Sequence, residues 1–262
     1  MTVMQIDNAQ IHLWQLDQVD FDLPSLQDAC LSWLTEAELL RYHRFHFDRH
    51  RKQLLLGRIL MRAALSSYDN SISPEAWVFT YNAYGKPQIS TEQNLNSLYF
   101  NVSHSAQKVV LAVSRCAEIG VDIEFSDKQR RVEAIAHRYF SSSEVAQLLA
   151  LPAGEQQKRF YELWTLKEAY IKACGMGLAI PLQHFAYSFH SGDKLALEFD
   201  AQRVDSESAW QLWQLEAESD YMLALAAKTG AQSAPNKLVG WKMLSLDSIV
   251  EHQLQIIRSK QP

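Results

Sequence analysis

The sequence feature with the largest consequence for the fold is a short internal repeat. Two segments recur 94 positions later in the same order, His43-Arg44-Phe45 as His137-Arg138-Tyr139 and Gln53-Leu54-Leu55 as Gln147-Leu148-Leu149. The six loosely matched positions either arise by chance or mark two similar α/β halves that meet near residues 115–118. In the second case the boundary between the halves is a natural cleft for a ligand.

Length and composition exclude several classes of protein. A chain of 262 residues, 47% hydrophobic and 21% charged, has the composition of a soluble globule with one large domain or two modest ones. A net charge of −5 disfavours a nucleic-acid partner. The sequence shows neither a secretory signal pattern nor an apolar run near the roughly 18 residues of a membrane span. Three widely spaced cysteines favour a reducing compartment, so we expect a cytoplasmic protein without a membrane partner.

Local sequence patterns predict the order of the helices and strands. Ser141-Ser-Ser-Glu144 is a capping box, which begins a helix expected to reach Leu151. A helical region is expected from Thr35 towards Leu65, and a long helix from about Glu155 to Cys174, where glycine follows. Residues 229–236 are predicted to be a linker, and residues 241–260 a tail element of uncertain type. Alternating polarity predicts strands at residues 11–16, 97–102, 108–114, 119–125, 185–189, 195–199, 210–215 and 221–227.

Residues 119–125 combine a strand pattern with two carboxylates. The apolar residues share one face, whereas Gly120, Asp122 and Glu124 share the other. At about 3.3 Å per residue, the Cα atoms of Asp122 and Glu124 lie about 6.6 Å apart and their side chains point the same way. Converging carboxylates suit Mg²⁺, which takes oxygen ligands and keeps several waters or substrate phosphates. A half-exposed strand with an acidic outer face is the alternative explanation.

The predicted helix around residues 160–174 carries a second group of charges. Apolar residues form one stripe that packs on a core, while Glu168 and Lys172 lie four apart on another face with Lys167 beside them. An exposed Glu–Lys helix pair would give the same spacing. If Glu168 instead faces Asp122 and Glu124, the three carboxylates and two lysines provide what phosphoryl transfer needs, namely charge neutralisation and a stabilised leaving group.

Basic residues cluster between residues 41 and 62, which carry seven of the 25 Lys and Arg residues and one acidic residue. Such a local stripe on an acidic protein suits a small polyanion or an acidic partner better than DNA. A solvated helix face is the alternative explanation. On one continuous helix, five of these side chains would fall within an arc of roughly 100°: Arg41, Arg44, Arg51, Arg58 and Arg62.

Two shorter segments offer further phosphate contacts. Ser103 and His104 are neighbours on a predicted strand and so point to opposite faces, which makes them a poor nucleophile–base pair for a hydrolase. At a strand end they are instead suited to hold phosphate oxygens. Lys86 is suited to the same task, because the turn at Gly85 places it and Pro87 stiffens it.

Four ordered motifs resemble the 4′-phosphopantetheinyl transferases, in particular the larger, two-half (Sfp-type) class. They are YGKP at residues 84–87, FNVSHS at 100–105, GVDIE at 120–124 and FYELWTLKEAYIKACGMGL at 160–178. The matched blocks run from about residue 41 to 178, and the family core from about 10 to 228. GVDIE followed some 40 residues later by WxxKEAxxK is the specific part of this resemblance.

The resemblance implies a fold and an activity. The fold is α+β, a pseudo-two-fold pair of similar α/β halves, each a small antiparallel sheet packed on a long helix. The halves are expected at residues 1–116 and 117–228, followed by a linker and tail at 229–262. The activity is Mg²⁺-dependent transfer, with Mn²⁺ as a possible substitute, of the phosphopantetheine arm of coenzyme A onto a serine of an apo carrier protein. Coenzyme A lies between the halves, and the chain is expected to be a monomer.

The resemblance also assigns residues. Asp122, Glu124 and Glu168 match the magnesium ligands, and Glu168, or a metal-bound water that it positions, matches the base for the carrier serine. Lys172 matches the lysine that stabilises the departing adenosine 3′,5′-bisphosphate, and Lys167 an adjacent basic contact. The remaining matched residues are expected around the adenosine and its phosphates, with His104 on the 3′-phosphate: Arg41, Arg44, Arg51, Lys86, Pro87, Ser103 and His104.

One position departs from the family pattern. Glu38 stands where the resemblance implies a lysine for the 3′-phosphate, so either the alignment slips or Arg44, Arg49 or Arg51 takes over that contact. The resemblance does not account for residues 236–262. Two other functions use the same residues, a non-catalytic module that binds coenzyme A or a carrier protein, and a coenzyme A pyrophosphatase with water as the nucleophile.

Overall fold

The computed structural model describes residues 3–126, 131–190, 192–218, 220–229 and 237–260. Within these residues no helix is long and apolar enough to cross a membrane. Residues 230–236, most of the predicted linker, lie outside the described residues. The helices are α1 (Leu23–Cys30), α2 (Glu36–Arg44), α3 (Asp48–Tyr68), α4 (Val132–Tyr139), α5 (Ser142–Leu149) and α6 (Ala153–Cys174).

The strands form two main sheets and two hairpins. One sheet has the order β12-β11-β1-β5-β4 and the other β13-β9-β10-β6, while β2 pairs with β3 and β7 with β8. The strands are β1 (Gln10–Asp17), β2 (Phe79–Tyr81), β3 (Pro87–Ile89), β4 (Tyr99–Ser105), β5 (Lys108–Ser114), β6 (Ile119–Phe125), β7 (Phe185–Phe189), β8 (Leu195–Phe199), β9 (Trp210–Leu215), β10 (Tyr221–Lys228), β11 (Lys237–Ser245), β12 (Ser248–His252) and β13 (Ile256–Lys260).

Capping chemistry explains where several helices begin and end. Ser141 and Glu144 form the predicted capping box at the start of α5, and Gly175 ends α6 with φ of 70°. The prediction of one helical region from Thr35 to Leu65 is wrong in one respect. Phe45 and Phe47 are extended, so α2 and α3 are separate helices. The arc calculated for the arginines on one continuous helix therefore does not apply.

The two sheets pack face to face, and each carries a long helix on its outer face. Alternation along β1 shows the arrangement, because Ile11 and Leu13 point to the core between the sheets, whereas Trp14 and Leu16 point to the core beneath α3. A third core lies between α6 and the other sheet. The order β1-β5-β4 in one sheet matches β6-β10-β9 in the other, which is the expected pseudo-two-fold pair of halves.

The structural repeat has a different offset from the sequence repeat. A capping box begins α2 at Thr35 and α5 at Ser141, 106 positions later. The long helices begin at residues 48 and 153, an offset of 105. An offset of 94 instead aligns residues 53–55 of α3 with residues 147–149 of α5, which are not equivalent helices. The two halves are present, but the sequence repeat matches them in the wrong register.

The tail contributes strands to both sheets. β11 pairs with β1 in parallel orientation, β12 pairs with β11, and β13 pairs with β9. The first sheet is therefore mixed rather than antiparallel as expected, because its tail strand runs in the same direction as β1. Sequence patterns left these residues as a tail element of uncertain type, and burial along β11 does not alternate between buried and exposed residues.

The edge strands β4 and β6 meet through side chains at the boundary between the halves. Buried N–H groups left without a partner cost about 1–3 kcal/mol each, and polar side chains of β4 supply acceptors for alternate N–H groups of β6. Val121 N donates to Asn101 Oδ1 (2.9 Å), Ile123 N to Ser103 Oγ (3.4 Å) and Phe125 N to Ser105 Oγ (3.0 Å). These three contacts are called the side-chain ladder below.

Candidate active site

A polar cleft opens between α3 and α6, beside the side-chain ladder. Its volume is 440 Å³, and it gathers residues from both halves of the chain. Most of the predicted site residues line it. The alternative explanations of the separate motifs, as exposed strand and helix faces, would not bring these residues together. These are Arg41, Pro87, Ser103, His104, Asp122, Glu124, Glu168 and Lys172.

Strand β6 places two carboxylates in the cleft. The face with Gly120, Asp122 and Glu124 packs towards α6, as the alternation predicted. Gly120 lets the strand and helix approach, since a Cβ there would lie 2.0 Å from the carbonyl oxygen of Ala169. Asp122 is only 3% exposed, so this is not the half-exposed acidic face of the alternative explanation.

Helix α6 places Glu168 and Lys172 opposite these carboxylates. Lys172 Nζ lies 2.5 Å from Asp122 Oδ1 and donates to Ser103 Oγ at 2.9 Å. Burial first, and then the charge of Asp122, raise the pKa of Glu168 to about 7. A carboxylate with a pKa near neutrality is suited to act as a general base. The pair is therefore part of the cleft and not an exposed helix pair.

Two observations show that these residues fit a divalent cation. Burial raises the pKa of Asp122 against the opposing effect of Lys172, and its Oδ2 atom is buried without a hydrogen-bond partner among the described residues. Glu168 experiences repulsion from both Asp122 and Glu124, which a cation would relieve.

The described residues nevertheless hold no preformed metal cluster of three His, Cys, Asp or Glu side chains. Lys172 and Ser103 occupy Oδ1 of Asp122, and Ser105 donates to Glu124 Oε2 at 3.1 Å. The carboxylates share one cleft but are held by protein hydrogen bonds. The three-carboxylate site predicted from the sequence thus stays a proposal.

Ser103 and His104 have different surroundings, as expected for neighbours on a strand. Ser103 Oγ is buried and donates to Asp122 Oδ1 at 2.9 Å, so its single proton is directed at the carboxylate and not at a phosphate. His104 lies at the mouth of the cleft. Its pKa is lowered, first by partial loss of solvation and then by Lys172 and Arg41.

Lys86 is placed differently from the prediction. Its Nζ donates to the carbonyl oxygens of Ile119 and Ala173, both at 3.0 Å, and burial lowers its pKa to about 8. The side chain therefore fastens the turn to the second half and does not reach into the cleft as a phosphate contact. Asn82 reinforces this attachment by donating to the carbonyl of Gly175 at 2.7 Å.

Comparison with known proteins agrees with the geometry. Residues 118–226 match the family model described as the 4′-phosphopantetheinyl transferase superfamily, and residues 24–116 match that described as 4′-phosphopantetheinyl transferase, N-terminal. The chain is 36% identical to the 4′-phosphopantetheinyl transferase HetI of Nostoc sp. over 65% of this chain and 70% of HetI. This chain belongs to the 4′-phosphopantetheinyl transferases.

Other relatives of this transferase include the 4′-phosphopantetheinyl transferase Sfp of Bacillus subtilis. The two are 32% identical over 75% of this chain and 83% of Sfp, which confirms the predicted Sfp-type family. The solved structure of Thermotoga maritima holo-[acyl-carrier-protein] synthase covers 44% of this chain and 64% of its own, with 19% identity. Its TM-score of 0.35 is too low to carry an argument.

Lys167 of the transferase is not a cleft residue, and this prediction is wrong. Its side chain is fully buried, and Nζ lies 2.9 Å from Glu144 Oε2. It also donates to the carbonyl oxygens of Leu182 and Phe185, both at 2.7 Å. One residue on a helix corresponds to about 100° of rotation, which turns Lys167 into the core while Glu168 faces the cleft.

The arginines of the transferase that were assigned to the cofactor lie partly in the cleft and partly on the protein surface beyond its lining. Arg41 lines the cleft, whereas Arg44 and Arg51 lie outside the lining that the described residues form. Arg51 pairs with Asp48 at 2.9 Å. The assignment of Arg44 and Arg51 to the cofactor therefore stays a prediction, whereas Arg41 lies where a cofactor in the cleft would meet it.

Glu38 has a structural role that explains its departure from the family pattern. It completes the capping box of α2, with Thr35 N donating to Glu38 Oε2 at 3.0 Å. Its carboxylate also lies 2.6 Å from Arg58 Nε and 3.1 Å from Arg62 Nη2. The sequence Thr35-Glu-Ala-Glu38 has the same capping pattern that was recognised at Ser141, so the signal was present.

Eight residues of the cleft lining were not among the predicted site residues, and three of these carry an ionisable or aromatic side chain. Arg58, Tyr81 and Trp164 line the cleft, and Arg58 Nη2 donates to the hydroxyl of Tyr81 at 3.3 Å. Arg58 was noted only as a member of the arginine stripe, and Trp164 only as part of an apolar helix face. Their positions in the cleft depend on contacts between residues that are distant in sequence, such as Arg58 and Tyr81, which are 23 residues apart, and the sequence carries no local signal for such contacts.

Proposed function

We propose that the chain transfers the 4′-phosphopantetheine group of coenzyme A to a serine of an apo carrier protein. The observation that carries this proposal is the convergence of Asp122, Glu168 and Lys172 with Arg41 and His104 on one cleft. The acidic groups suit a cation and a nucleophile, and the basic groups suit phosphates. Adenosine 3′,5′-bisphosphate is the second product.

The reaction is an in-line displacement. The carrier serine Oγ bonds to the phosphorus nearest the pantetheine arm, while the bond from that phosphorus to the bridging oxygen breaks. Glu168 takes the serine proton, because its carboxylate faces the cleft beside Asp122 and Lys172. Lys172 stabilises the negative charge that develops on the departing nucleotide.

Magnesium would be held by Asp122, Glu124 and Glu168. When bound, it supplies charge neutralisation at the pyrophosphate. The chain itself excludes water at Asp122 and holds Lys172 next to Oδ1 of that residue. Because Asp122 and Glu124 lie on a strand and Glu168 on a packed helix, they are fixed by the fold rather than by a loop.

The adenosine end of coenzyme A is assigned to the first half of the chain. Arg41 and His104 are proposed to bind the 3′-phosphate, since a guanidinium grips phosphate well and the two side chains are close enough to interact. Arg41→Ala is expected to raise KM for coenzyme A about tenfold, the value of one charge-assisted contact. It should leave KM for dephospho-coenzyme A unchanged, which steady-state kinetics with both substrates will test.

The two halves of the chain are proposed to bind different parts of the reacting complex. Residues 1–116 are proposed to hold the nucleotide and residues 117–228 to hold the metal. Because one chain contains both halves, we expect a monomer in the cytoplasm with no nucleic-acid or membrane partner.

A loading assay tests the proposed function. The protein is incubated with coenzyme A and each of several apo carrier proteins, with Mg²⁺, with Mn²⁺ or with a chelator, and the carriers are weighed by mass spectrometry. We expect a mass gain of one phosphopantetheine group only when a divalent cation is present. No gain on any carrier, with tight coenzyme A binding, would identify a binding module. Release of adenosine 3′,5′-bisphosphate without a carrier would identify a pyrophosphatase.

A further inference from the structure

The side-chain ladder between β4 and β6 repeats with the two-residue period of a strand. Asn101, Ser103 and Ser105 face β6 and accept from the N–H groups of Val121, Ile123 and Phe125. Successive contacts of the ladder are therefore related by a shift of two residues on both strands. A one-residue slip would turn every side chain of β6 to the opposite face.

The two serines of the ladder each make a second hydrogen bond. Ser103 accepts from the N–H of Ile123 and donates to the carboxylate of residue 122. Ser105 accepts from the N–H of Phe125 at 3.0 Å and donates to the carboxylate of residue 124 at 3.1 Å. In each case the hydroxyl joins the N–H of one residue to the side chain of the residue before it.

The remaining position of the ladder fits the same rule. Asn101 accepts from Val121 N, and the residue before Val121 is Gly120, which has no side chain to orient. An amide oxygen is sufficient there. Serine hydroxyls occur only at the two positions of the ladder where a carboxylate precedes the N–H group. Acceptors for the N–H groups of β6 would not by themselves require a hydroxyl at these positions.

We propose that Ser105 is a positioning residue of the transferase, which directs the carboxylate of Glu124 into the cleft as Ser103 directs that of Asp122. A glutamate side chain has several rotatable bonds, and the hydrogen bond from Ser105 on β4 restricts them before the cation arrives. Partners that hydrogen-bond to metal ligands commonly change metal affinity by about 10–100-fold. This proposal rests on the proposed metal role of Glu124.

The test compares Ser105→Ala with Ser105→Thr and with a matched control. Thr keeps the hydroxyl and suits a strand. Ser114→Ala is the control, because Ser114 is a buried serine on the neighbouring strand β5 whose hydroxyl also accepts a backbone N–H, that of Cys116 at 3.0 Å. Ser105→Cys retains the size of the side chain with a weaker donor, and it replaces Ser105→Ala if that variant does not fold.

Two measurements are made that do not depend on turnover. Mn²⁺ affinity is measured by electron paramagnetic resonance with and without coenzyme A, and backbone hydrogen exchange of Phe125 is measured by NMR. We expect Ser105→Ala to weaken Mn²⁺ binding about tenfold and to speed exchange at Phe125, Ser105→Thr to restore both, and Ser114→Ala to leave Mn²⁺ binding unchanged.

The outcomes separate this proposal from the proposed function. If the wild-type protein binds Mn²⁺ and Ser105→Ala binds it within twofold of the same affinity, the positioning role is overturned while the function stands. Equal weakening by Ser114→Ala overturns it too, because the effect would then be general loosening of the sheet. If the wild-type protein binds no Mn²⁺, the metal assignment and the positioning role both fail.

Discussion

Strands β1 and β6 occupy equivalent places in the two halves, yet they present opposite chemistry to their helices. β6 turns Gly120, Asp122 and Glu124 towards α6 and leaves a polar cleft. β1 turns His12, Trp14 and Leu16 towards α3, and this space is filled: His12 Nδ1 lies 2.8 Å from the hydroxyl of Tyr68, to which Trp14 Nε1 donates.

The tail adds a further aromatic ring to the filled space beside β1. Trp241, on β11, packs against Trp14 and His12 and donates to His12 Nδ1 at 3.3 Å. One framework is thus used twice, once to bury aromatic rings and once to hold charges for a reaction. The fold thus dictates the position of a site, while the residues facing the long helix decide whether a site exists.

The largest expected effect comes from removing a charge from β6. Asp122→Asn is expected to lower the rate of carrier loading about 10³-fold, which corresponds to about 4 kcal/mol of transition-state stabilisation. The free energy of unfolding should fall less than it does when a fully buried pair is broken, because the Lys172 side chain is 26% exposed and burial already disfavours the charged form of Asp122. Loading rates and urea denaturation measure the two quantities. Full activity in this variant would contradict the metal assignment.

The second effect concerns the charged pair beneath the cleft. Lys167→Met leaves Glu144 buried without its partner, and breaking such a pair is expected to cost about 3–5 kcal/mol of stability. The double variant Lys167→Met, Glu144→Gln should recover part of that loss in urea denaturation. A stable Lys167→Met protein that fails only in coenzyme A binding would instead restore the assignment of Lys167 to the cofactor.

Much of the fold could be predicted from the sequence, because it follows from local patterns. Alternation gave the bounds of β6 to β9 and the face of Asp122, and capping and glycine signals gave α5 and α6. The ordered motifs identified the family, and with it Glu168 and Lys172. Each of these inferences depends on short segments, in which the residues that carry the signal are near one another along the chain.

The failures involve contacts between distant residues. Lys167 and Glu168 are adjacent in a charged motif, and only the packing of α6 decides that the first is buried and the second is not. Glu38 was compared with a lysine position of the family. Its structural role is instead set by the capping box of α2 and by its ion pairs with arginines on α3. The side chain of Lys86 reaches across the boundary to the other half, which no local pattern can indicate.

The third effect concerns the half in which aromatic side chains fill the space between β1 and α3. Trp241→Ala is expected to reduce the free energy of unfolding by about 2 kcal/mol, since the ring is partly buried and full removal of a buried Trp costs about 3–5 kcal/mol. Trp241→Phe should lose less. Carrier loading should stay within about twofold of wild type, because the ring lies at the counterpart of the cleft and not in it. A selective loss of activity would show that the tail contributes to the reaction.

The smallest effect is a pH dependence from the same region. Burial lowers the pKa of His12 from 6.5 to about 4, so the unfolded chain binds this proton first as the pH falls. The stability that the neutral His12 side chain gives the native state is therefore fully present above pH 6.5, and it is lost as the pH falls from 6.5 to 4. At pH 6 the loss is expected to be about 1 kcal/mol. In urea denaturation at several pH values, His12→Gln should show a flatter profile, and an identical profile would contradict the assignment.

The tail strands also bear on how the chain reaches its fold. Trp241 meets His12 across a separation of 229 residues, so the loop closed by this contact spans most of the polypeptide. Contacts of such separation form late and slow the search for the native state. During synthesis, the sheet that contains β1 has an open edge until β11 leaves the ribosome and pairs with β1. A chaperone that shields exposed strand edges would act on this half for longer than on the other.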